Sequence, residues 1–86
     1  MKKAIFEDDS LNELKEWMTI DIKIAKKIIS LIQDIQKEPF TGLGKPEPLK
    51  YKYQGCWSRR ITDEHRLIYK VLDNSISIIF PNSHYE

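Results

Sequence analysis

Residues 49–80, LKYKYQGCWSRRITDEHRLIYKVLDNSISIIF, contain four short runs rich in β-branched and aromatic side chains. The pattern of these runs has a period of two, which is typical of β-strands, and turn-forming residues separate them. Four strands joined by hairpin turns are therefore predicted, and successive strands in such a meander run antiparallel. The predicted strands are Leu49–Tyr53, Cys56–Thr62, Arg66–Leu72 and Ile76–Phe80, and the predicted turns are Gln54-Gly55, Asp63-Glu64 and Asp73-Asn74-Ser75.

The residues before this meander predict one strand and two helices. Lys3–Phe6 forms the first strand, and the next two segments place apolar side chains three and four residues apart, as amphipathic helices do. The first helix runs toward Met18 and the second ends before Pro39. Candidate N-caps are Asp8, Asp9 and Ser10 for the first helix, and Thr19 and Asp21 for the second. The residues expected on the solvated outer face of the second helix are Lys23, Lys26, Lys27 and Asp34.

The segment PFTGLGKPEP, residues 39–48, separates the helices from the meander. It holds three of the four prolines and two of the three glycines, so it is expected to form a shaped loop. Neither flank, at about 40 residues, is long enough to bury a core alone, so one domain is predicted over residues 1–86. The predicted class is α+β in the order β-α-α-β-β-β-β, with two N-terminal helices packed on a mostly antiparallel five-stranded sheet.

Composition excludes several classes of protein. The single cysteine, Cys56, cannot form an internal disulfide, and no Cys/His cluster suits a structural zinc. No apolar run has the length of a secretory signal or a membrane span, so a cytoplasmic protein without membrane contact is predicted. The formal net charge is only +1, but residues 41–70 hold all three arginines and carry seven Lys or Arg against three Asp or Glu. That stretch is either a phosphate-binding surface or a strand face solvated by its charges.

Three sequence blocks and the C-terminus together resemble a known family. GKPEPLK at residues 44–50, WSRRI at 57–61, EHRLIY at 64–69 and the terminal His84-Tyr85 are similar to the YoeB branch of the RelE-like toxin superfamily. The resemblance implies the RelE-like microbial RNase fold and the toxin of a type II toxin–antitoxin system. It also implies a ribosome-dependent endoribonuclease, an mRNA interferase that cleaves mRNA in the ribosomal A site and inhibits translation. The implied partners are a YefM-like antitoxin, the 30S/70S ribosome and mRNA, with no cofactor, and a homodimer is a further candidate.

Cleaving RNA without a metal requires a base for the ribose 2′-hydroxyl, a cation for the pentacoordinate phosphorus and an acid for the 5′-oxygen. By the resemblance, Glu47 is the predicted base, Arg66 the cation and His84 the acid. Glu47 lies between two prolines, which restrict its backbone. Apart from the resemblance, Glu47 reads as a solvated loop residue and His84 as an inert tail residue. Arg66 would then form no more than a surface ion pair with Glu64.

Three further residues are predicted to bind the substrate. Arg60 lies on a polar strand face and is a candidate phosphate contact. Lys50 either completes the cationic set or is a surface lysine without a role. Tyr85 is expected to stack on a base or hydrogen-bond the phosphate, the alternative being packing onto the sheet. His65 and Cys56 are predicted to be structural residues of the turn and strand, and no metal site is predicted.

Two functions other than cleavage are also consistent with the sequence. Members of the family usually carry a basic residue and an aromatic directly before the terminal His-Tyr, whereas this chain has Asn82 and Ser83. That departure favours a toxin that occupies the ribosome or the antitoxin without cutting. The other alternative is a gyrase-type inhibitor on the same scaffold, and the presence of Glu47 and His84 argues against it.

Overall fold

The computed structural model of the chain describes residues 1–80, so the predicted roles of His84 and Tyr85 lie outside the described residues. One strand precedes two helices, and four strands follow them. The helices are α1, Ser10–Ile20, and α2, Ile22–Lys37; the strands are β1, Lys3–Phe6; β2, Glu47–Pro48; β3, Trp57–Arg60; β4, Arg66–Val71; and β5, Ser75–Ile79. A short 3₁₀ helix, Tyr51–Tyr53, lies between β2 and β3. The predicted order of elements is confirmed.

The five strands form one sheet in the order β1-β5-β4-β3-β2. From β2 to β5 each strand pairs antiparallel with the next, while β1 pairs parallel with β5. The antiparallel pairs are joined by short connections. The parallel pair joins β1 to a strand that follows it in the chain only after both helices and three further strands. The mostly antiparallel sheet and the α+β class are therefore confirmed.

The hydrophobic core lies between α2 and one face of the sheet. Along β4 and β5, alternate side chains point to this face because successive strand residues face opposite ways. The buried members of the core are Leu14, Ala25, Ile28, Leu31, Ile32, Ile35, Ile61, Leu67, Tyr69, Ile76 and Ile78. The opposite side of the sheet carries neither α1 nor α2 and is called the helix-free face below.

The two helices begin in different ways. At the start of α2 the Asp21 carboxylate accepts hydrogen bonds from the backbone N–H groups of Lys23 and Ile24, at 3.1 and 3.4 Å. The N-cap of α1 is Asp9, whose side chain makes no capping bond. Instead the buried Ser10 hydroxyl donates to the Ile78 carbonyl at 3.0 Å and attaches the start of α1 to β5. Neither helix of the described residues has the length and apolar character that crossing a membrane requires.

The prediction of a strand at Leu49–Tyr53 is wrong. The edge strand β2 is instead the dipeptide Glu47–Pro48, within the segment predicted to be loop. Tyr51 has a φ of +57°, outside the β region, and the segment folds into a 3₁₀ turn with a Gln54 N–H to Tyr51 carbonyl bond of 3.0 Å. The alternation of Lys and Tyr in LKYKY therefore imitates a strand without forming one.

The prediction of a solvated outer face on α2 is right for its three lysines and wrong for Asp34. Lys23, Lys26 and Lys27 are exposed. The side chain of Asp34 is only 29% exposed and forms an ion pair with Arg59 of β3. The acceptor that Arg59 requires therefore comes from a helix position that looks solvated in the sequence.

Candidate active site

The strand register places the predicted base and cations on the helix-free face. Residues that pair directly across antiparallel strands point to the same side of the sheet. One row on this side consists of Glu47, Ser58 and Ile68, from β2, β3 and β4. The next row contains the pair Arg60 and Arg66. Glu47 therefore lies two strands away from Arg66, a separation of about 10 Å measured perpendicular to the strands, and is offset from it by one row along them.

Turn carbonyls orient the guanidinium of Arg66. Its Nη1 donates to the carbonyl of Thr62 at 3.0 Å and approaches those of Asp63 and His65 at 3.4 Å each. The Thr62 hydroxyl in turn accepts from the N–H groups of Glu64 and His65, at 3.2 and 3.1 Å, and fixes the turn. Within residues 1–80 no ion pair joins Arg66 to Glu64, so the surface-pair alternative for Arg66 does not hold.

Arg60 and Arg66 form a like-charged pair across β3 and β4. Their Cα positions are directly opposite, and like charges so placed destabilise a sheet. Both side chains are half-buried, and the Nε of Arg60 is buried without a hydrogen-bond partner in the described residues. Two arginines directly opposite each other on neighbouring strands, one of them with an unpaired Nε, are a suitable arrangement for binding a phosphate.

Glu47 and Lys50 are both exposed on the edge of the sheet. Glu47 pairs with Ser58 through the two-residue strand β2, so its backbone is held by β3 as well as by its flanking prolines. Lys50 precedes the 3₁₀ helix and begins the connection from β2 to β3. The structure thus brings Glu47, Arg60 and Arg66 together on one face and leaves Lys50 at its rim.

Arg59, which precedes Arg60 in β3, is a buried residue for which the sequence predicts no functional role. Its side chain has no exposed surface and lies on the helix side of β3. Its five acceptors are Asp34 Oδ2 at 2.5 Å, Tyr69 Oη at 3.3 Å, and the carbonyls of Glu38, Thr41 and Leu43 at 2.8, 3.0 and 3.0 Å. Arg59 therefore fixes the segment between α2 and β2, which leads directly to Glu47.

The acidic partners of Arg59 have shifted pKa values. The backbone N–H of Leu43, and next the Arg59 guanidinium, hold the pKa of Asp34 below its ordinary range. Burial raises the pKa of Tyr69, so its phenol stays protonated and donates to the Pro39 carbonyl at 2.5 Å. Asp34 thus remains charged where Arg59 needs an anion, and Tyr69 remains neutral in the core.

His65 contacts α1 in addition to its own turn. Its ring meets Trp17 edge-on, with 5.1 Å between ring centroids, and its Nδ1 lies 3.0 Å from the Thr62 hydroxyl. This contact attaches the turn that holds Arg66 to the first helix. Among residues 1–80 no group of three His, Cys, Asp or Glu side chains is arranged to hold a metal ion.

Comparison with known proteins identifies the family. The sequence profile described as "YoeB-like toxin of bacterial type II toxin-antitoxin system" matches residues 6–85. The chain belongs to this family. The resemblance of the blocks around Glu47, Arg59 and Arg66 to YoeB is therefore confirmed, and the protein is a toxin of the YoeB type.

Three relatives show how closely this YoeB-type chain follows the family. It is 48% identical to Toxin YoeB of Escherichia coli strain K12 over 83 residues, which are 96% of this chain and 99% of that protein. The YoeB/ParE toxin from Agrobacterium tumefaciens superposes with a TM-score of 0.88 at 39% identity, covering 96% and 99% of the two chains. YoeB of Staphylococcus aureus, in a heterotetrameric complex with YefM, superposes with a TM-score of 0.85 at 38% identity and covers 99% of both chains. A YoeB dimer from Staphylococcus aureus superposes with a TM-score of 0.86 at 39% identity and covers 98% of both chains.

Proposed function

We propose that this toxin is a ribosome-dependent endoribonuclease that acts in the cytoplasm and cleaves mRNA in the ribosomal A site, without a metal ion. The observation that carries the proposal is the Arg60–Arg66 pair on the helix-free face, one pleat away from Glu47. Two arginines on neighbouring strands suit the doubly charged pentacoordinate phosphorus of an RNA transition state. A carboxylate beside them suits the removal of a proton from the attacking group.

The proposed reaction is an in-line transfer within the RNA. Glu47 takes the proton of the ribose 2′-hydroxyl, and the 2′-oxygen attacks the adjacent phosphorus. The bond from phosphorus to the 5′-oxygen breaks, which leaves a 2′,3′-cyclic phosphate on one fragment. Arg66 stabilises the charge on the equatorial oxygens, and Arg60 is a second phosphate contact. His84, assigned by the family resemblance, donates a proton to the leaving 5′-oxygen.

The deciding experiment is primer extension on an mRNA in a translating extract that contains the purified toxin. We expect breaks confined to the A-site codon of translated mRNA. In a parallel reaction with naked RNA and no ribosomes, any residual cleavage should be unchanged by a chelator. Glu47→Ala should reduce cleavage by about 10²–10⁴-fold, the usual contribution of a general base. Glu16→Ala, which removes a carboxylate from the exposed face of α1, is the matched control and should cleave normally.

The outcomes separate the candidate functions. Stalled translation on an intact message would replace the endoribonuclease with a toxin that only binds. Breaks that persist in Glu47→Ala would remove Glu47 from the role of base, whereas breaks that vanish while the variant remains folded would support it. A preparation that inhibits DNA supercoiling but not translation would point to the gyrase-type alternative.

The proposed protein partner is a YefM-like antitoxin, as in the S. aureus heterotetramer. An acidic segment that folds across the helix-free face would neutralise Arg60 and Arg66 and exclude RNA from them. A homodimer is the proposed state of the free toxin, as found for S. aureus YoeB. The exposed apolar side chains available for such contacts on the helices include Leu11, Met18, Ile20 and Ile22.

A further inference from the structure

The connection between β2 and β3 displays an aromatic ring between two cations. The segment reads Lys50-Tyr51-Lys52-Tyr53 and follows Glu47–Pro48 after one residue. Tyr51 is 91% exposed, more than any other large apolar or aromatic residue described here. Exposed aromatic surface is unfavourable in water, so a tyrosine held outside the core needs an explanation other than stability.

The backbone at Tyr51 adds a second reason to look for a function. Its φ of +57° is the left-handed conformation, which is unfavourable for a residue with a Cβ and is adopted readily by glycine. Local bonds enforce it: the Tyr53 N–H donates to the Lys50 carbonyl at 3.2 Å, and the Leu49 N–H donates to the Cys56 carbonyl at 2.9 Å. A strained residue that the surrounding bonds impose, with its ring pointing to solvent, is characteristic of ligand-contacting positions.

The neighbours of the ring favour a nucleic-acid ligand over an apolar one. Lys50 and Lys52 flank Tyr51, both are exposed, and the Nζ of Lys52 lies 5.5 Å from the centroid of the Tyr53 ring. Alternating cations and aromatic rings bind single-stranded RNA, since the rings stack on bases while the cations contact the backbone phosphates. The segment also adjoins the edge strand that carries Glu47, so an RNA strand at Glu47 would extend toward it.

We propose that Tyr51 is a stacking platform for one unpaired base of an RNA strand that crosses the helix-free face, with Lys50 and Lys52 contacting its phosphates. The inference rests on the proposed function for its substrate class, RNA, and adds a base subsite outside Glu47, Arg66 and His84. Stacking requires only a flat ring, so the subsite accepts any base and contributes affinity more than sequence preference.

The test measures binding, which does not depend on cleavage. Wild-type toxin and three variants are titrated with a short single-stranded 2′-O-methyl RNA, which has no free 2′-hydroxyl to attack. Tyr51→Leu keeps an apolar side chain but removes the ring and should weaken binding about 5-fold to 100-fold. Tyr51→Trp should bind at least as tightly as the wild type. Tyr51→Gly should weaken binding like Tyr51→Leu while raising the melting temperature, because glycine relieves the positive φ.

Two arms with ribosomes distinguish the source of the base. The same variants are titrated with bacterial 70S ribosomes that carry a message and with ribosomes that carry none. If the variants lose affinity only for ribosomes that carry a message, the base stacked on Tyr51 belongs to mRNA. If they lose affinity equally for both kinds of ribosome, the base belongs to ribosomal RNA. Leu72→Met, a change at an exposed apolar residue between β4 and β5, is the matched control and should bind normally.

The proposal is overturned if Tyr51→Leu binds like the wild type in all three titrations, or if the wild type binds none of the RNAs. Its failure is distinguishable from failure of the proposed function. Binding that depends on the ring, together with an intact message, would retain the subsite and reject the nuclease. Cleavage by a Tyr51→Leu variant with unchanged affinity would retain the nuclease and reject the subsite.

Discussion

One buried guanidinium, that of Arg59, joins α2, the loop after it and β4. Replacing it with methionine keeps an unbranched chain in the core but leaves Asp34 and four other acceptors without their donor. Each buried acceptor that loses its donor typically costs about 1–3 kcal/mol, so Arg59→Met should lower the free energy of unfolding by at least about 3 kcal/mol. Urea unfolding measures the loss. Lys26→Met, on the exposed face of α2, is the control and should stay within about 0.5 kcal/mol of the wild type.

The Asp34 carboxylate should make the stability of the fold depend on pH in the acid range. Its folded-state pKa lies below the ordinary value of 3.8, chiefly because the Leu43 N–H and then Arg59 donate to it. A lowered folded-state pKa contributes stability above the ordinary value, and this contribution is lost as the pH falls through the folded-state value. Asp34→Asn cannot be protonated in this way.

Urea midpoints of the wild type and Asp34→Asn, taken from neutral pH downward, test this expectation. The wild type should lose stability more steeply than the variant once the pH falls below 3.8, and the difference between them should be largest at neutral pH. Lys26→Gln, a non-acidic change on the same helix, should retain the wild-type slope. Parallel curves for Asp34→Asn and the wild type would mean that Asp34 does not couple folding to pH.

At the residue level, some positions of the charged side chains could be predicted from the sequence and others could not. Arg60 could be placed on a polar face of its own strand because strand alternation is a local property. That Arg66 lies on the same face of the sheet follows only from the register of β3 with β4. The pairing of Asp34 with Arg59 could not be predicted either, because the two residues are 25 positions apart and the intervening loop sets their distance. A charged residue at the edge of an apolar stripe looks solvated until its partner is located in space.

The loop that precedes β2 contains a glycine, Gly44, at a position where no larger residue fits. Gly44 has a φ of +77°, its carbonyl accepts from the Arg60 N–H at 2.7 Å, and an added Cβ would meet Leu31 Cδ2 at 2.9 Å and the Arg60 carbonyl at 3.0 Å. Gly55, with a φ of +93°, has nothing within 4 Å of such a Cβ. A side chain at Gly55 would therefore meet backbone strain alone, whereas one at Gly44 would meet both backbone strain and steric crowding.

Alanine at these two glycines should therefore have unequal effects on stability. Gly55→Ala should lower the free energy of unfolding by about 1–2 kcal/mol, the cost of a left-handed residue with a Cβ. Gly44→Ala should lose about 1–3 kcal/mol more, because the crowded atoms belong to the core and to the β3 backbone. Urea or thermal unfolding measures both. Equal losses would mean that the loop moves aside, in which case cleavage should fall because Glu47 moves with it.

At the level of elements, the sequence predicted the two helices and the last two hairpins correctly, and it misplaced the edge strand and with it the first hairpin. The start of α2 follows from the Asp21 cap and its end from Pro39, which are local signals. The start of α1 is instead attached to β5 by the Ser10–Ile78 bond. The period-two pattern of residues 49–53 is equally local, but the bonds that fold it into a 3₁₀ turn come from the closure of the β2–β3 connection. Two residues are too few for a period to be recognised, so Glu47–Pro48 could be assigned to β2 only from its pairing with Ser58 and Trp57.

Across the whole molecule, charge is divided between two opposite faces. The formal net charge is +1, which by itself predicts little attraction to RNA. Lys23 and Lys26 are exposed on the outer surface of α2, whereas Arg60 and Arg66 lie on the helix-free face behind the sheet. If RNA binds only the helix-free face, the position of a cation matters and its contribution to net charge does not.

Two double variants of equal charge test this division. Arg60→Gln with Arg66→Gln removes two positive charges from the helix-free face, and Lys23→Gln with Lys26→Gln removes two from the outer face of α2. Affinity for single-stranded RNA is measured over a series of salt concentrations, since each phosphate contact adds about 0.7 to the slope of log K against log salt. The arginine variant should lose about 1.4 from that slope and the lysine variant nothing. Equal losses would show that RNA responds to net charge alone, and the helix-free face would then no longer be the site.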